Sequence, residues 1–147
     1  MYEEQPELAG LIDFPEYLGL NERGWVVKPQ GGSFKKGHLK FIHGDVLSGN
    51  HVSKALNTYV ECVVYGHFHT GASGTKILPH TTKHKWQAWA QGCVGRLDSS
   101  YLKNRATGWL NQFGITEFRQ RGMFCHYPVT VFNGQFSYGG KLYGGTR

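Results

Sequence analysis

Apolar residues recur along the chain at two spacings, and the change between them falls near Tyr65. Residues 6–20 (PELAGLIDFPEYLGL) carry apolar positions at helical spacing, broken by Gly10 and Pro15, which predicts one or two short helices and a helical lead-in over 1–24. Trp25 to Val27 predicts a short strand, and PQGGSFKKG after it a turn-rich connection. HLKFI (38–42) predicts a strand. GNHVSKALNTY (49–59) places Val52, Ala55, Leu56 and Tyr59 on one helical face, with Asn50 in the N-cap region and His51 in the first turn. Glu61 to Tyr65 predicts a buried strand. Strand, helix and strand in this order imply a right-handed βαβ unit with parallel strands, contained in 25–70.

Beyond Tyr65 the pattern is strand-like. KILPH, KWQAWAQG, GWLNQFGITEF and GMFCHYPVTVF are separated by glycines and polar turns, which predicts mostly antiparallel strands over 71–147. The sharpest local signal is VTVF-Asn133-Gly134-QFSY, because Asn-Gly supplies the positive φ angles of a two-residue hairpin turn. Ser99 to Arg105 suits a helical turn, and the final GGKLYGGTR is expected to fray. The whole reads as one β-rich α/β domain.

Composition sharpens this picture. The 21 glycines and 14% aromatic content among 147 residues favour strands and turns over a helical bundle. No apolar run is long enough to span a membrane. The opening MYEEQPELAG is acidic rather than basic and then apolar, so a secretory signal is not expected and a cytoplasmic location is. Cys62, Cys93 and Cys125 are odd in number and widely spaced, which predicts reduced, mostly buried thiols. The formal net charge is +6, and after Gly24 the only acids are Asp45, Glu61, Asp98 and Glu117. Such a surface attracts phosphate-rich polymers and anionic substrates, although many basic domains bind no nucleic acid.

The candidate chemistry lies where two apolar runs stop. HLKFI ends in His43-Gly44-Asp45, and VECVVY ends in Gly66-His67-Phe68-His69. A strand that ends in a turn presents its next side chain at the carboxyl edge of the sheet, where α/β proteins bind ligands. His67 and His69 are spaced i, i+2 and on an extended segment would face one side. With His43 on a neighbouring strand, three imidazoles would converge, a donor set suited to a transition metal. Asp45 would either orient His43 as a hydrogen-bond partner or stand as a solvated turn residue. PHTTKHK (79–85) and the residues after it supply Lys83, Lys85 and Arg96 as possible phosphate contacts, against the plainer reading of a solvated loop. Trp86, Trp89 and Trp109 read as packing rather than as base-stacking platforms.

HGD, a helix, an apolar strand and then GHFH together resemble the C-terminal half of the calcineurin-like metallophosphoesterases. That family includes protein phosphatases, cyclic-nucleotide phosphodiesterases and DNA-repair nucleases. From Leu8 to Tyr143 the chain is similar to small bacterial and bacteriophage members, more loosely outside the two motifs. The resemblance implies a β-rich α/β fold, the C-terminal half of a four-layer α/β/β/α sandwich, and a site for two divalent ions. Manganese is the first expectation, with iron, zinc or nickel as alternatives. Carried over by motif, His43 and His67 would bind one ion and His69 the other. The activity implied is hydrolysis of a phosphomonoester or phosphodiester by a hydroxide bridging two ions.

The carboxylates depart from the family pattern. No Asp-x-His occurs, Gly44-Asp45 is followed by Ser48 where a second aspartate belongs, and Gly49-Asn50-His51 is followed by Val52 instead of an acid. Only Val46 to Ser48 separates the two short motifs, too little for a parallel crossover of about 10–12 residues. The bridging carboxylates and the leaving-group histidine are therefore expected in an N-terminal half outside this sequence, and no catalytic residue is assigned. Expected partners are a phosphoester, nucleic acid among them, and a complementary half or a second copy at an exposed sheet edge. The alternative is an inactive phosphoesterase-like module that binds nucleic acid or a protein.

Overall fold

The computed structural model describes residues 14–29, 31–44, 49–79, 85–95, 97 and 107–145. The chain divides into two compact units, Met1–Gln30 and Gly31–Arg147. In the first, α1 (Phe14–Tyr17) is a single turn, followed by turns to Gly24. The strand expected at Trp25 to Val27 is absent: Trp25 is 66% and Val26 78% exposed, and no strand among the described residues pairs with them. Apolar β-formers make a strand only where a partner takes their hydrogen bonds.

The second unit is a mixed, β-rich α/β fold. Its main sheet has the order β1-β2-β3-β5-β4. These strands are β1 (Ser33–Lys36), β2 (Leu39–Ile42), β3 (Cys62–His69), β4 (Ala72–Ile77) and β5 (Lys85–Gly92). β1 lies within the segment expected to be only a connection. It pairs with β2 antiparallel, Ser33 opposite Ile42, while β2, β3 and β5 run parallel, with Leu39 opposite Cys62 and Val63 opposite Ala88. The expected strand–helix–strand unit is thus β2, α2 (His51–Tyr59) and β3. The Asn50 side chain caps α2 by accepting from the Ser53 backbone N–H at 3.3 Å, and Val60 ends the helix in a left-handed conformation.

α2 buries Ala55 and Leu56 on one face of this sheet against Val63, Tyr65, Trp86, Ala88 and Ala90. The Trp86 Nε1–H donates to the Leu56 carbonyl at 2.8 Å, so the indole is both buried and satisfied. Gly74 on β4 makes the close approach possible, since a Cβ there would lie 2.7 Å from Val52 Cγ1. The other face carries Leu39, Val64 and Trp89 and is covered by Phe118 and Phe124. These come from a second, two-stranded sheet, β6 (Gln112–Phe118) against β7 (Phe124–Thr130). Helix, sheet and second sheet therefore stack as layers. Leu39 and Val63 are fully buried, each stabilising the fold by roughly 1.5–3 kcal/mol.

The Asn133-Gly134 turn forms, with φ of 49° and 76°, but only the bridge Phe132–Gln135 closes it. β8 (Phe136–Tyr138) pairs instead with β9 (Lys141–Tyr143), so the tail expected to fray is a strand as far as Tyr143. The helical turn expected at 99–105 lies outside the described residues. Among the described residues no helix is long and apolar enough to cross a membrane.

Candidate metal centre

β2 and β3 deliver their histidines to the same edge because they are adjacent and parallel, Ile42 standing opposite Tyr65. Immediately beyond that pair the backbones are tied: the Gly66 N–H donates to the His43 carbonyl at 2.9 Å. Gly44, at φ 101°, turns the chain away over the Tyr65 ring, where a Cβ would lie 3.1 Å from Cδ2. The result places His67 Nδ1 3.2 Å from His43 Nε2, with both side chains exposed. The rings meet edge to face, centroids 5.1 Å apart.

His69 does not join them. Among the described residues no three His, Cys, Asp or Glu side chains gather closely enough to hold a metal. The reason is local. β3 does not stay extended through GHFH: Tyr65 pairs with Ala90 and His69 with Gly92, so four steps on β3 span two on β5. The turn expected at Gly66 is taken by the histidines themselves, at φ 71° for His67 and 59° for His69. Each left-handed histidine costs roughly 1–2 kcal/mol, and the rule that i and i+2 share a face does not apply to such a backbone. The His69 ring packs edge-on to Trp109, centroids 4.5 Å apart, with its Nδ1 buried and without a hydrogen-bond partner among the described residues. Its carbonyl accepts from the Leu110 N–H at 2.9 Å.

Lys85 is also remote. It opens β5 seven residues before Gly92, about 23 Å along an extended strand, at the amino end of a parallel strand whose carboxyl end adjoins His69. Asp45, Lys83 and Arg96 lie outside the described residues. Lys40 and Lys35 both donate to Glu61, at 2.7 and 2.5 Å. Burial works to raise the Glu61 carboxyl, but the two ammonium groups outweigh it and hold it below the ordinary carboxylate range. A cavity of about 200 Å³ opens beside His43, walled by Ser33, Lys40, Ile42 and Tyr59.

Two histidines unassigned from the sequence have defined partners. His51 Nδ1 meets the Tyr65 hydroxyl at 2.7 Å and its ring stacks on Phe68 at 4.1 Å. Burial lowers the pKa of His51 and pushes that of Tyr65 up to about 12. His126 bridges the layers: its Nε2 takes the Gln91 amide at 2.8 Å and its Nδ1 meets the Thr116 hydroxyl at 2.8 Å. The only signal for His51 was its place in the first turn of α2 beside the motif. For His126 no signal existed. Trp86 and Trp89 are buried packing residues, as expected. Cys62 and Cys93 are partly buried and free, whereas Cys125 is exposed, contrary to expectation.

Two imidazole nitrogens bound to one tetrahedral ion at about 2.0–2.1 Å each stand about 3.3 Å apart. The His43–His67 separation matches that distance; as they stand the two nitrogens share a hydrogen bond, and an ion between them would replace its proton and turn the rings to aim both lone pairs at the metal. The donor set fits two positions on a single ion; a second ion would need donors from outside the described residues. Compared with family profiles, with curated proteins and with solved structures, the chain matches none.

Proposed function

We propose that this chain contributes ligands to a metal-dependent phosphoesterase. The observation that carries the reading is the His43–His67 pair, two exposed imidazoles 3.2 Å apart at the carboxyl ends of adjacent parallel strands. The calcineurin-like resemblance assigns these same two residues to one ion and His69 to another, whereas the His69 ring packs on Trp109 apart from the pair. The layering of helix, sheet and second sheet is consistent with part of a four-layer sandwich.

His43 and His67 would hold one divalent ion: imidazoles suit iron, zinc or nickel, whereas manganese, the first expectation from the resemblance, would need added oxygen donors. Bound there, the ion would supply Lewis-acid charge to a phosphoryl oxygen. The chain's own residues bind and orient: the Gly66 N–H to His43 carbonyl bond ties the two strand ends that carry the imidazoles, and the cavity beside His43 has room for a small ester substituent. The bridging carboxylates would come from a complementary half. The absence, among the described residues, of a third ligand beside the pair, with the net charge of +6, favours as a second reading an inactive module that binds nucleic acid.

Calorimetry of the 147-residue chain with Mn2+ and Zn2+ separates the two. The first reading expects one ion bound per chain and at least a tenfold loss of affinity in both His43→Ala and His67→Ala. It also expects Mn2+-dependent release of nitrophenol from bis-(p-nitrophenyl) phosphate once carboxylate-bearing motifs are supplied. Metal affinity unchanged in both variants would sink it. Metal-independent, salt-sensitive DNA binding would favour the second.

A further inference from the structure

His67 and His69 hold left-handed backbones, while the residue between them carries no donor. A strained conformation of this kind persists only where its surroundings over-determine it, and what surrounds it is Phe68. The Phe68 ring stacks on His51, centroids 4.1 Å apart and planes 12° from parallel. It meets the Tyr65 ring edge-on at 6.3 Å and 89°. The third side of the triangle is closed, since His51 Nδ1 is 2.7 Å from the Tyr65 hydroxyl. Tyr65 is only 1% exposed and belongs to the core beneath α2, against which Phe68 packs. His51 is fixed from its other side by the capped first turn of that helix. Phe68 is thus gripped between a helix terminus and a core tyrosine, and the two histidines flank it in sequence.

We infer that Phe68 is a positioning residue: its ring, gripped between His51 and Tyr65, holds His67 and His69 in left-handed backbone and thereby sets the His43–His67 pair. Anchors on either side agree with this role. Gly66 is tied to the His43 carbonyl and the His69 carbonyl to Leu110, so the loop is fixed at both ends and its middle is fixed through Phe68. The His67 ring also lies edge-on to Phe68, centroids 5.3 Å apart, so the ring steers both the backbone and the imidazole. The inference rests on and deepens the metal-ligand reading, but the clamp itself is made only of this chain's side chains.

The test is made first on the metal-free 147-residue chain by NMR. Wild type and Phe68→Tyr, which keeps a flat ring, should show a ring-to-ring NOE between His43 and His67. They should also show the strong intraresidue HN–Hα NOE of positive φ at residues 67 and 69. Phe68→Leu keeps apolar bulk without the stacking face and should lose these signals while its thermal midpoint falls by only a few degrees. His51→Leu should produce the same loss with Phe68 intact, and decides the matter if Phe68→Leu does not fold. Retention of the ring-to-ring NOE and the positive-φ signature in a folded Phe68→Leu or His51→Leu chain would overturn the clamp. In a second arm, Co2+ affinity should fall at least tenfold in Phe68→Leu and recover in Phe68→Tyr. If wild type takes up no Co2+, the metal-ligand reading fails while the NOE comparison still decides the clamp.

Discussion

His126 shows how a single half-buried ring converts packing into a pH dependence. Burial lowers its pKa to about 4, from 6.5 when free, and its two nitrogens are engaged by Gln91 and Thr116 across the layers. Its folded pKa is depressed, so above pH 6.5 both states are neutral and nothing is lost. As pH falls from 6.5 towards 4, the unfolded chain takes up a proton that the folded chain refuses, and stability declines. With an allowance for the ring's partial exposure, the loss is about 1–2 kcal/mol. Urea unfolding at pH 7 and pH 4.5 should show this decline, and His126→Phe should flatten it. An equal slope in that variant would mean that other groups carry it. Glu61 acts in a lower window, because its carboxyl is held below 4.5 and its contribution is lost only as pH falls through that range. At the same scale, His67 and His69 illustrate the limit of reading side-chain direction from spacing. Nothing in the letters GHFH says that the histidines, and not the glycine, take positive φ.

The α2–β4 contact is the element on which packing is most exposed to one atom. Gly74 lets the helix approach, and a Cβ there would meet Val52 Cγ1 at 2.7 Å and Leu56 Cδ1 at 3.3 Å. Val52 cannot swing away cheaply, because a β-branched side chain in a helix has one strongly preferred rotamer. Gly74→Ala should therefore lower stability by about 1–3 kcal/mol in urea unfolding, despite the entropic advantage of alanine in a strand. A stabilised variant would show that α2 has freedom to lift. Removing the helix cap with Asn50→Ala should cost about 1 kcal/mol. That variant should also weaken the His51–Phe68 stack, since both depend on the first turn. The predicted βαβ unit matched the structure because its signals agree: a capped amphipathic helix between two apolar runs. The Asn-Gly hairpin matched only at its turn, since β8 takes β9 as its partner across Gly139-Gly140, whose φ of 57° and 73° make a second two-residue turn of the same kind.

At the scale of the molecule, every buried residue of the two core clusters lies between Leu39 and Ala90, within the unit Gly31–Arg147. A chain that starts at Gly31 should therefore keep a cooperative thermal transition within a few degrees of the full chain, and should keep the His43–His67 NOE. Loss of cooperativity would show that residues before Gly31 supply part of the core. The sequence by itself determined which residues lie towards the strand ends: apolar runs that stop at HGD and GHFH, joined by a capped helix, favour parallel strands with their carboxyl ends at one edge. It also determined that the fold would be β-rich and α/β. Tertiary structure alone decided which imidazoles meet. Pairing with β5 forces two extra residues out of β3, and an aromatic grip from α2 and Tyr65 sets their backbone. Those contacts join residues far apart in the chain, and so His67 reaches His43 while His69 turns to Trp109.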